Sequence, residues 1–462
     1  MKAQHFVTSR PSGDLLAEKA EVLFADWEEK LPPFAEFGRH PGDLEANQIR
    51  LYPEVEYQTV SGFGGAFSES AAVAWLALPK EEQDALIRAY FSKEEGIGYS
   101  FCRVPMGSCD FSVEAYTYVK DGDMTLASFD VSREDVTIFR MILAAKAYEE
   151  NLTLFASPWT PPPYMKDNGE WQGGKLKAEC AALWAKYYGK YVEACRARGI
   201  EISAFTVQNE PRHHQMWESC CYTAEEEMAF VREHLAPVLA PLGVKIYIFD
   251  HCKERVFERA TLAFTDPTLR DAVAGVAFHT YSGDHFEELR MVRERYFGKE
   301  LIMSETCYAL PNPAYSPDRQ WAAVLHYTHD IIGNLANGMT AFCDWNLVLD
   351  EERGPFHFRE GRGCVADAPV IADKKQGKAI LQPSYYAIGQ FSRFIRPGAR
   401  VIGLSKPWAD IEAVAAKNTD GSIALVMRNP RPSEHTFFIH IGAHLATAKI
   451  PPYSLNTFVI KE

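Results

Sequence analysis

The run Thr206-Val207-Gln208-Asn209-Glu210-Pro211 decides how this chain is read. Ile202 to Val207 is short and apolar, the pattern of a buried strand. Pro211 has no amide hydrogen with which to extend a ladder, so the chain must turn there and leave Glu210 at the mouth of a sheet. A second carboxylate repeats the arrangement, because Glu300-Leu301-Ile302-Met303-Ser304 ends in Glu305. Two glutamates, each at the C-terminal end of its own apolar strand, are the pair that a retaining glycosidase uses.

Outward from these two strands, short buried strands alternate with helices from Gly62 onward. The strands are expected at Gly62–Phe67, Tyr99–Val104, Leu152–Ala156, Ile202–Val207, Val244–Phe249, Val276–His279, Leu301–Ser304 and Met339–Cys343. Helices are expected from near Ser68, from Pro79 to Phe91, and over Arg133–Glu150, Ala181–Arg198 and Asp318–Ala336. Another begins at Thr223, a good N-cap ahead of Glu225 and Glu226. Eight such repeats predict an α/β fold, a (β/α)8 TIM barrel. A doubly wound sheet fits poorly: its phosphate loop would follow the first strand, whereas Gly62, Gly64 and Gly65 lie within it.

After a last helix around Ser384–Ile395 the rhythm changes. Val401–Leu404, Ile411–Ala416, Ser422–Met427, Thr436–Ile441 and Leu455–Ile460 are short strands, with turn signals such as Asp420-Gly421 between them. They predict a small antiparallel β-sandwich side domain. Near the N-terminus, Pro32-Pro33 and Pro41-Gly42 punctuate a mixed segment, and Asn47–Tyr52 reads as a strand ahead of Pro53. This segment is expected to add one or two strands to the side domain. The division is therefore 1–58 for the N-terminal segment, 59–395 for the barrel, and 396–462 for the C-terminal β-domain.

Composition agrees with this and narrows the partners. A chain of 462 residues suits one large barrel with a companion domain. A formal charge of −14 with no offsetting basic stretch argues against nucleic acid or an anionic membrane as partner. No apolar run approaches a membrane span, and Met1–Phe6 lacks the apolar core of a secretory signal. The ten cysteines follow no framework, and Cys220-Cys221 are adjacent, so reduced thiols and a cytoplasmic location are expected. Oligomeric state is not legible.

Barrel sites form at the C-terminal strand ends. The residues expected there are Arg103, Asp110, Phe111, Trp159, Asn209, Glu210, His279, Tyr281, Glu305, Asp344, Trp345 and Asn346. Carboxylates beside indoles suit a sugar, which offers an apolar face and a rim of hydroxyls. A competing set, His213-His214, Cys220-Cys221 and His251-Cys252, holds zinc-binding residue types, but its spacing matches no compact ligand pattern. Neither metal nor cofactor is expected.

Several stretches resemble glycoside hydrolase family 30, which includes lysosomal acid β-glucosidase. They are Phe63-Gly64-Gly65-Ala66, the run Arg103 to Ser112, Tyr116-Thr117-Tyr118, Ala156 to Pro162, Gln208 to Pro211, Ser304-Glu305 and Asp344 to Leu347. The resemblance implies a retaining β-glycosidase, with Glu210 as acid/base and Glu305 as nucleophile. It also implies that Asp110, Trp159, Asn209 and Trp345 hold the sugar in the first subsite. His279, Tyr281 and Arg103 are expected to orient Glu305 or keep it ionised, and Glu305 in turn to raise the pKa of Glu210. The chain departs from the glucosylceramidase pattern at His279-Thr280-Tyr281, where that pattern has His-Trp-Tyr, and in the loop Arg212–Cys220. A β-glucoside is the expected substrate. β-Xylosidase, β-fucosidase, β-1,6-glucanase or a catalytically silent carbohydrate-binding protein are the alternatives.

Overall fold

The computed structural model describes residues 1–26, 48–311, 316–357, 364–406 and 410–461. The turn signals at Pro32-Pro33 and Pro41-Gly42 lie outside the described residues. Two compact units are formed, one from Phe63–Ala314 and Met339–Gln382, the other from Met1–Gly62, Tyr315–Gly338 and Pro383–Glu462.

In the first unit eight strands close into a barrel and follow one another around it in chain order. They are Gly62–Ala66, Phe101–Met106, Thr153–Pro158, Ile202–Thr206, Lys245–Cys252, Gly275–His279, Glu300–Glu305 and Ala341–Asn346. Every expected strand is present. Several run past the apolar stretch that marks them, because their polar ends still pair with neighbours, as His279 does with Glu305 and Cys252.

The strands are apolar for a reason visible in the barrel interior. Phe101, Phe155, Ala204, Tyr247, Ala277, Ile302, Ala341 and Cys343 form one buried cluster that draws on the second to the eighth strand. Side chains two residues further along a strand share its face. On five strands those are Arg103, Ser157, Thr206, His279 and Ser304, all buried. The interior therefore passes from an apolar plug to a polar layer at the C-terminal mouth. Gly64 is required where the first strand meets the second, since a Cβ there would lie 1.8 Å from the Phe101 carbonyl oxygen. The helix Ala224–Phe230 begins at the expected Thr223, which closes a capping box with Glu226.

The second unit contains a ten-stranded sheet. Its strands, in spatial order, are Asp14–Leu23, Lys2–Ser9, Ser454–Lys461, Ile423–Asn429, Glu412–Lys417, Arg400–Ser405, Gln48–Thr59, His435–Ile441, His444–Ile450 and Ala25–Asp26. Neighbours are antiparallel except Gln48–Thr59 and His435–Ile441, which pair in parallel. One apolar cluster joins Leu425, Met427 and Phe458 to Phe437, Ile439, Ala448 and Ile450 from the other end of the sheet. The sheet thus folds over on itself as a sandwich.

The N-terminal segment gives this sheet four strands instead of one or two. One of them runs through Pro53. Its register jumps from Tyr52 opposite Gly403 to Glu56 opposite Ile402, so Pro53 sits in a bulge where its missing amide hydrogen is not needed. Helices Pro317–Asn337 and Pro383–Ser392, counted with the barrel from the sequence, cluster with this unit.

Candidate active site

The polar layer of the barrel is organised around Asp250, a residue the sequence reading passed over. Ala277 pairs with Phe249 and Phe278 with His251, so Asp250 is an extra residue in the fifth strand. This bulge turns its carboxylate into the barrel. Oδ2 accepts a hydrogen bond from Arg103 Nη2 at 2.7 Å and lies 2.6 Å from the Thr206 hydroxyl. Oδ1 accepts from the Ser304 hydroxyl at 2.5 Å and faces His279 Nε2 at 3.0 Å. Arg103, Asp250 and His279 are all fully buried. An isolated charge could not be held there, and the mutual pairing is what permits it.

Glu305 ends the seventh strand within this network. Arg103 Nη1 donates to its Oε2 at 2.5 Å, and the Tyr281 hydroxyl donates to its Oε1 at 2.9 Å. Glu210 leaves the fourth strand at a φ of 47°, a left-handed conformation fixed by its own amide, which donates to the Asp250 carbonyl at 3.0 Å. Gln215 Nε2 donates to Glu210 Oε2 at 2.8 Å. His279 Nδ1 stands 3.3 Å from Glu210 Oε1 and 3.9 Å from Glu305 Oε1. One imidazole nitrogen therefore lies between the two carboxylates, and no more than the sum of those distances separates the oxygens.

These contacts correct the expectation that Glu305 raises the pKa of Glu210. Burial does push the Glu210 carboxyl up, but the hydrogen bond and charge of His279 outweigh it and bring it down to about 2. Burial opposes the charge on His279 as well, yet Glu305, Asp250 and Glu210 together carry it up to about 10. Arg103 pairs with Glu305, and the carboxylates around His279 favour a proton on its imidazole over one on Glu210.

The two glutamates face a cavity of about 1130 Å³. Of the expected residues, Asp110, Phe111, Glu210, Tyr281, Glu305 and Trp345 line it, while Arg103, Trp159, Asn209 and His279 stand behind it. Trp159, expected in the first subsite, stacks on Trp345 with ring centres 5.2 Å apart, and the Arg103 guanidinium lies 4.7 Å from its ring centre. Phe111 meets Trp345 edge to face at 5.9 Å. Asn209 Oδ1 accepts from Arg103 Nη2 at 2.8 Å, which orients the amide with its NH2 left as a donor. Asp344 and Asn346 are buried and do not line the cavity.

The outer part of the cavity was not anticipated. Gln172, His213, His214, Gln215, Met216 and Trp217 line it. The two loops that carry them meet at the buried Lys166, whose Nζ donates to the carbonyls of Glu170, Trp171 and Ser219 at 2.7, 3.0 and 2.7 Å. Gly173 has a φ of 55°, and its bare α-carbon makes room for the His214 ring, which would lie 2.2 Å from a Cβ there. Of the zinc-type residues, His213 and His251 meet edge to face at 4.4 Å. Among the described residues, no group of three or more His, Cys, Asp or Glu side chains is placed to hold a metal ion.

Comparison with known proteins gives the same reading of the whole chain. The family model for the glycosyl hydrolase family 30 TIM-barrel domain matches residues 60–395, and that for the family 30 beta sandwich domain matches residues 398–458. Lysosomal acid glucosylceramidase of Mus musculus is 32% identical over 445 residues, covering 90% of this chain and 85% of that protein. The endo-1,6-beta-D-glucanase of Neurospora crassa is 29% identical over 396 residues, covering 82% of this chain and 80% of that protein. The crystal structure of SrfJ from Salmonella typhimurium superposes with a TM-score of 0.91 at 33% identity, covering 100% of both chains. The chain belongs to glycosyl hydrolase family 30 and is a β-glycoside hydrolase.

Proposed function

We propose that the chain is a retaining β-glucosidase in which Glu305 is the nucleophile and Glu210 the acid/base. The observation that carries this is the pair of carboxylates on one cavity, on either side of His279 Nδ1. Arg103 and Tyr281 hold both oxygens of Glu305, which keeps the carboxylate aimed. Glu305 attacks the anomeric carbon as the bond to the leaving oxygen breaks. Glu210 gives that oxygen the proton it shares with His279. In the second step water attacks the anomeric carbon, Glu305 departs, and Glu210 takes the water's proton. The donor NH2 of Asn209 serves the sugar 2-hydroxyl, and Asp110 with Trp345 holds the ring.

A β-glucosyl unit is what the named substrates of the two curated relatives share. They differ in the leaving group, a ceramide in one and a second glucose in the other. A ceramide leaving group would give the enzyme a part in sphingolipid metabolism. The nine cysteines whose side chains are described are free thiols, which supports a reducing, cytoplasmic setting. Among the described residues no helix is long and apolar enough to cross a membrane.

The decisive experiment is Glu305→Ala with added azide. The variant is expected to lose turnover and, with azide, to form an α-glycosyl azide, because the small anion enters from the face the carboxylate left. A β-azide, or turnover near that of the wild type, contradicts the assignment. Hydrolysis of methyl β-glucoside, octyl β-glucoside and gentiobiose by the wild type then separates the leaving groups.

A further inference from the structure

The bulge that presents Asp250 is strained. Phe249 and Asp250 lie in succession at φ values of 78° and 52°, a conformation that a bulky L-residue rarely adopts. Such a backbone persists only where the surroundings over-determine it. Here the surroundings converge on one side chain. Glu227, fully buried in the helix Ala224–Phe230, accepts the Phe249 amide hydrogen on Oε1 at 2.6 Å. Its Oε2 lies 3.2 Å from Arg259 Nη1, and the Arg259 guanidinium in turn sits 5.2 Å from the Phe249 ring centre. The amide and the ring of the strained residue are therefore clamped by one ion pair.

We propose that Glu227 is a positioning residue for catalysis, acting through the Phe249–Asp250 bulge to hold both the Asp250 carboxylate and the backbone of Glu210 in place. The two ends of the bulge residue serve different partners. The Asp250 carboxylate meets Arg103 and His279, while its carbonyl accepts the Glu210 amide at 3.0 Å. Without the Glu227 acceptor the Phe249 amide has no partner in a dry interior, and the bulge relaxes toward ordinary extended backbone. Relaxation turns the carboxylate out of the polar layer and withdraws the carbonyl from Glu210. Neither movement alters the cavity-lining residues that bind the sugar ring, so the loss falls on turnover more than on binding. Displacements of about 1 Å at such a distance from the reacting atoms can lower rates by about a hundredfold.

The inference rests on the acid/base reading of Glu210, and its test keeps the two apart. Glu227→Leu removes the acceptor. Its kcat on an alkyl β-glucoside is expected to fall by about a hundredfold while KM changes little. Glu227→Gln keeps an oxygen for the Phe249 amide but loses the charge, and it is expected to recover at least about tenfold of that loss. If both variants lose activity equally, the ion pair with Arg259 matters and the hydrogen bond does not, which overturns the proposal. Unchanged kcat with a lowered melting temperature overturns it too, leaving Glu227 a packing residue. Should Glu227→Leu not fold, Glu227→Asp, one methylene too short to meet the amide in the same place, takes its part, and unchanged kcat there is equally fatal. Glu210→Ala is measured beside them. If it shows no preference for activated leaving groups, the acid/base reading fails; if it shows that preference while Glu227→Leu turns over normally, only the present proposal fails.

Discussion

His279 lies against Glu210 with Nδ1 3.3 Å from the carboxylate Oε1, and its other ring nitrogen faces Asp250 at 3.0 Å. Nε2 can keep its hydrogen toward Asp250 in either state of the pair. Nδ1 is then free to pass a proton to Glu210 without changing the charge of the buried cluster. In the proposed mechanism this lets Glu210 act as an acid although its own pKa is held low, because a proton on the imidazole lies one hydrogen bond away.

That proton is also linked to stability. The folded pKa of His279, about 10, lies above its ordinary value of 6.5, so its contribution is complete below about pH 6.5 and is lost as pH rises through about 10. Glu210, at about 2 against 4.5, contributes above about pH 4.5 and loses its share as pH falls through about 2. The melting temperature of wild type minus that of His279→Gln should therefore be largest between about pH 4.5 and 6.5 and shrink on both sides. Scanning calorimetry across that range checks it. A difference that stays level up to pH 10 contradicts the pairing.

Glu210→Ala should divide substrates by their leaving groups. An alkyl glucoside needs a proton on the departing oxygen, and general acid assistance is typically worth about 10² to 10⁴ in rate. A dinitrophenyl glucoside leaves without it and should suffer far less in the first step. Measuring kcat/KM on both substrates decides the matter, and equal losses would remove Glu210 from the role.

The barrel strands were legible because each is enclosed on both faces and so carries a short, mostly apolar run. His444–Ile450 was missed for the opposite reason: half its residues face outward, and the run His-Leu-Ala-Thr-Ala-Lys-Ile carries only a weak alternation. Asp14–Leu23 is exposed along most of its length and offers little apolar pattern. Within the site, Glu210 and Glu305 were announced by strand ends and, for Glu210, by the proline that follows. Asp250 had no such marker. It faces inward only because the fifth strand bulges by one residue, a backbone event with no glycine or proline to signal it. Trp159 was legible as a barrel-mouth residue, but its stacking on Trp345 was not, since sequence does not say which indoles meet.

Lys166 should matter for the outer cavity without touching the chemistry. It is fully buried, and three carbonyl oxygens depend on its ammonium group. Lys166→Met fills the space but leaves those acceptors without their donor, a loss of at least about 2 kcal/mol in local stability. Limited proteolysis should then cut within residues 167–218 in the variant before it cuts the wild type. Activity on a dinitrophenyl glucoside should persist at low temperature, while KM for gentiobiose rises. A variant as resistant as wild type would show that the carbonyls find other partners.

Asp110 lines the cavity, and the turn that carries it is closed by hydrogen bonds of its own backbone and of Ser112. The turn Cys109–Ser112 is closed by the Ser112 amide donating to the Cys109 carbonyl at 3.1 Å. The Ser112 hydroxyl accepts in return from the Cys109 amide, also at 3.1 Å, and the Phe111 carbonyl is held by the Ser70 amide at 3.0 Å. None of these bonds uses the Asp110 side chain, which lines the cavity beside Phe111 and Trp345. A carboxylate in that place can accept from two neighbouring sugar hydroxyls, each such bond to a charged acceptor contributing roughly 1.5–3 kcal/mol. Asp110→Ala should therefore lower kcat/KM for a β-glucoside by at least about a hundredfold, equivalent to roughly 2.7 kcal/mol. The melting temperature should stay close to that of the wild type, because the turn keeps its own hydrogen bonds. Both are measured on the same purified variant. A fallen melting temperature with unchanged kcat/KM would return Asp110 to the scaffold and leave Trp345 and Asn209 to hold the ring.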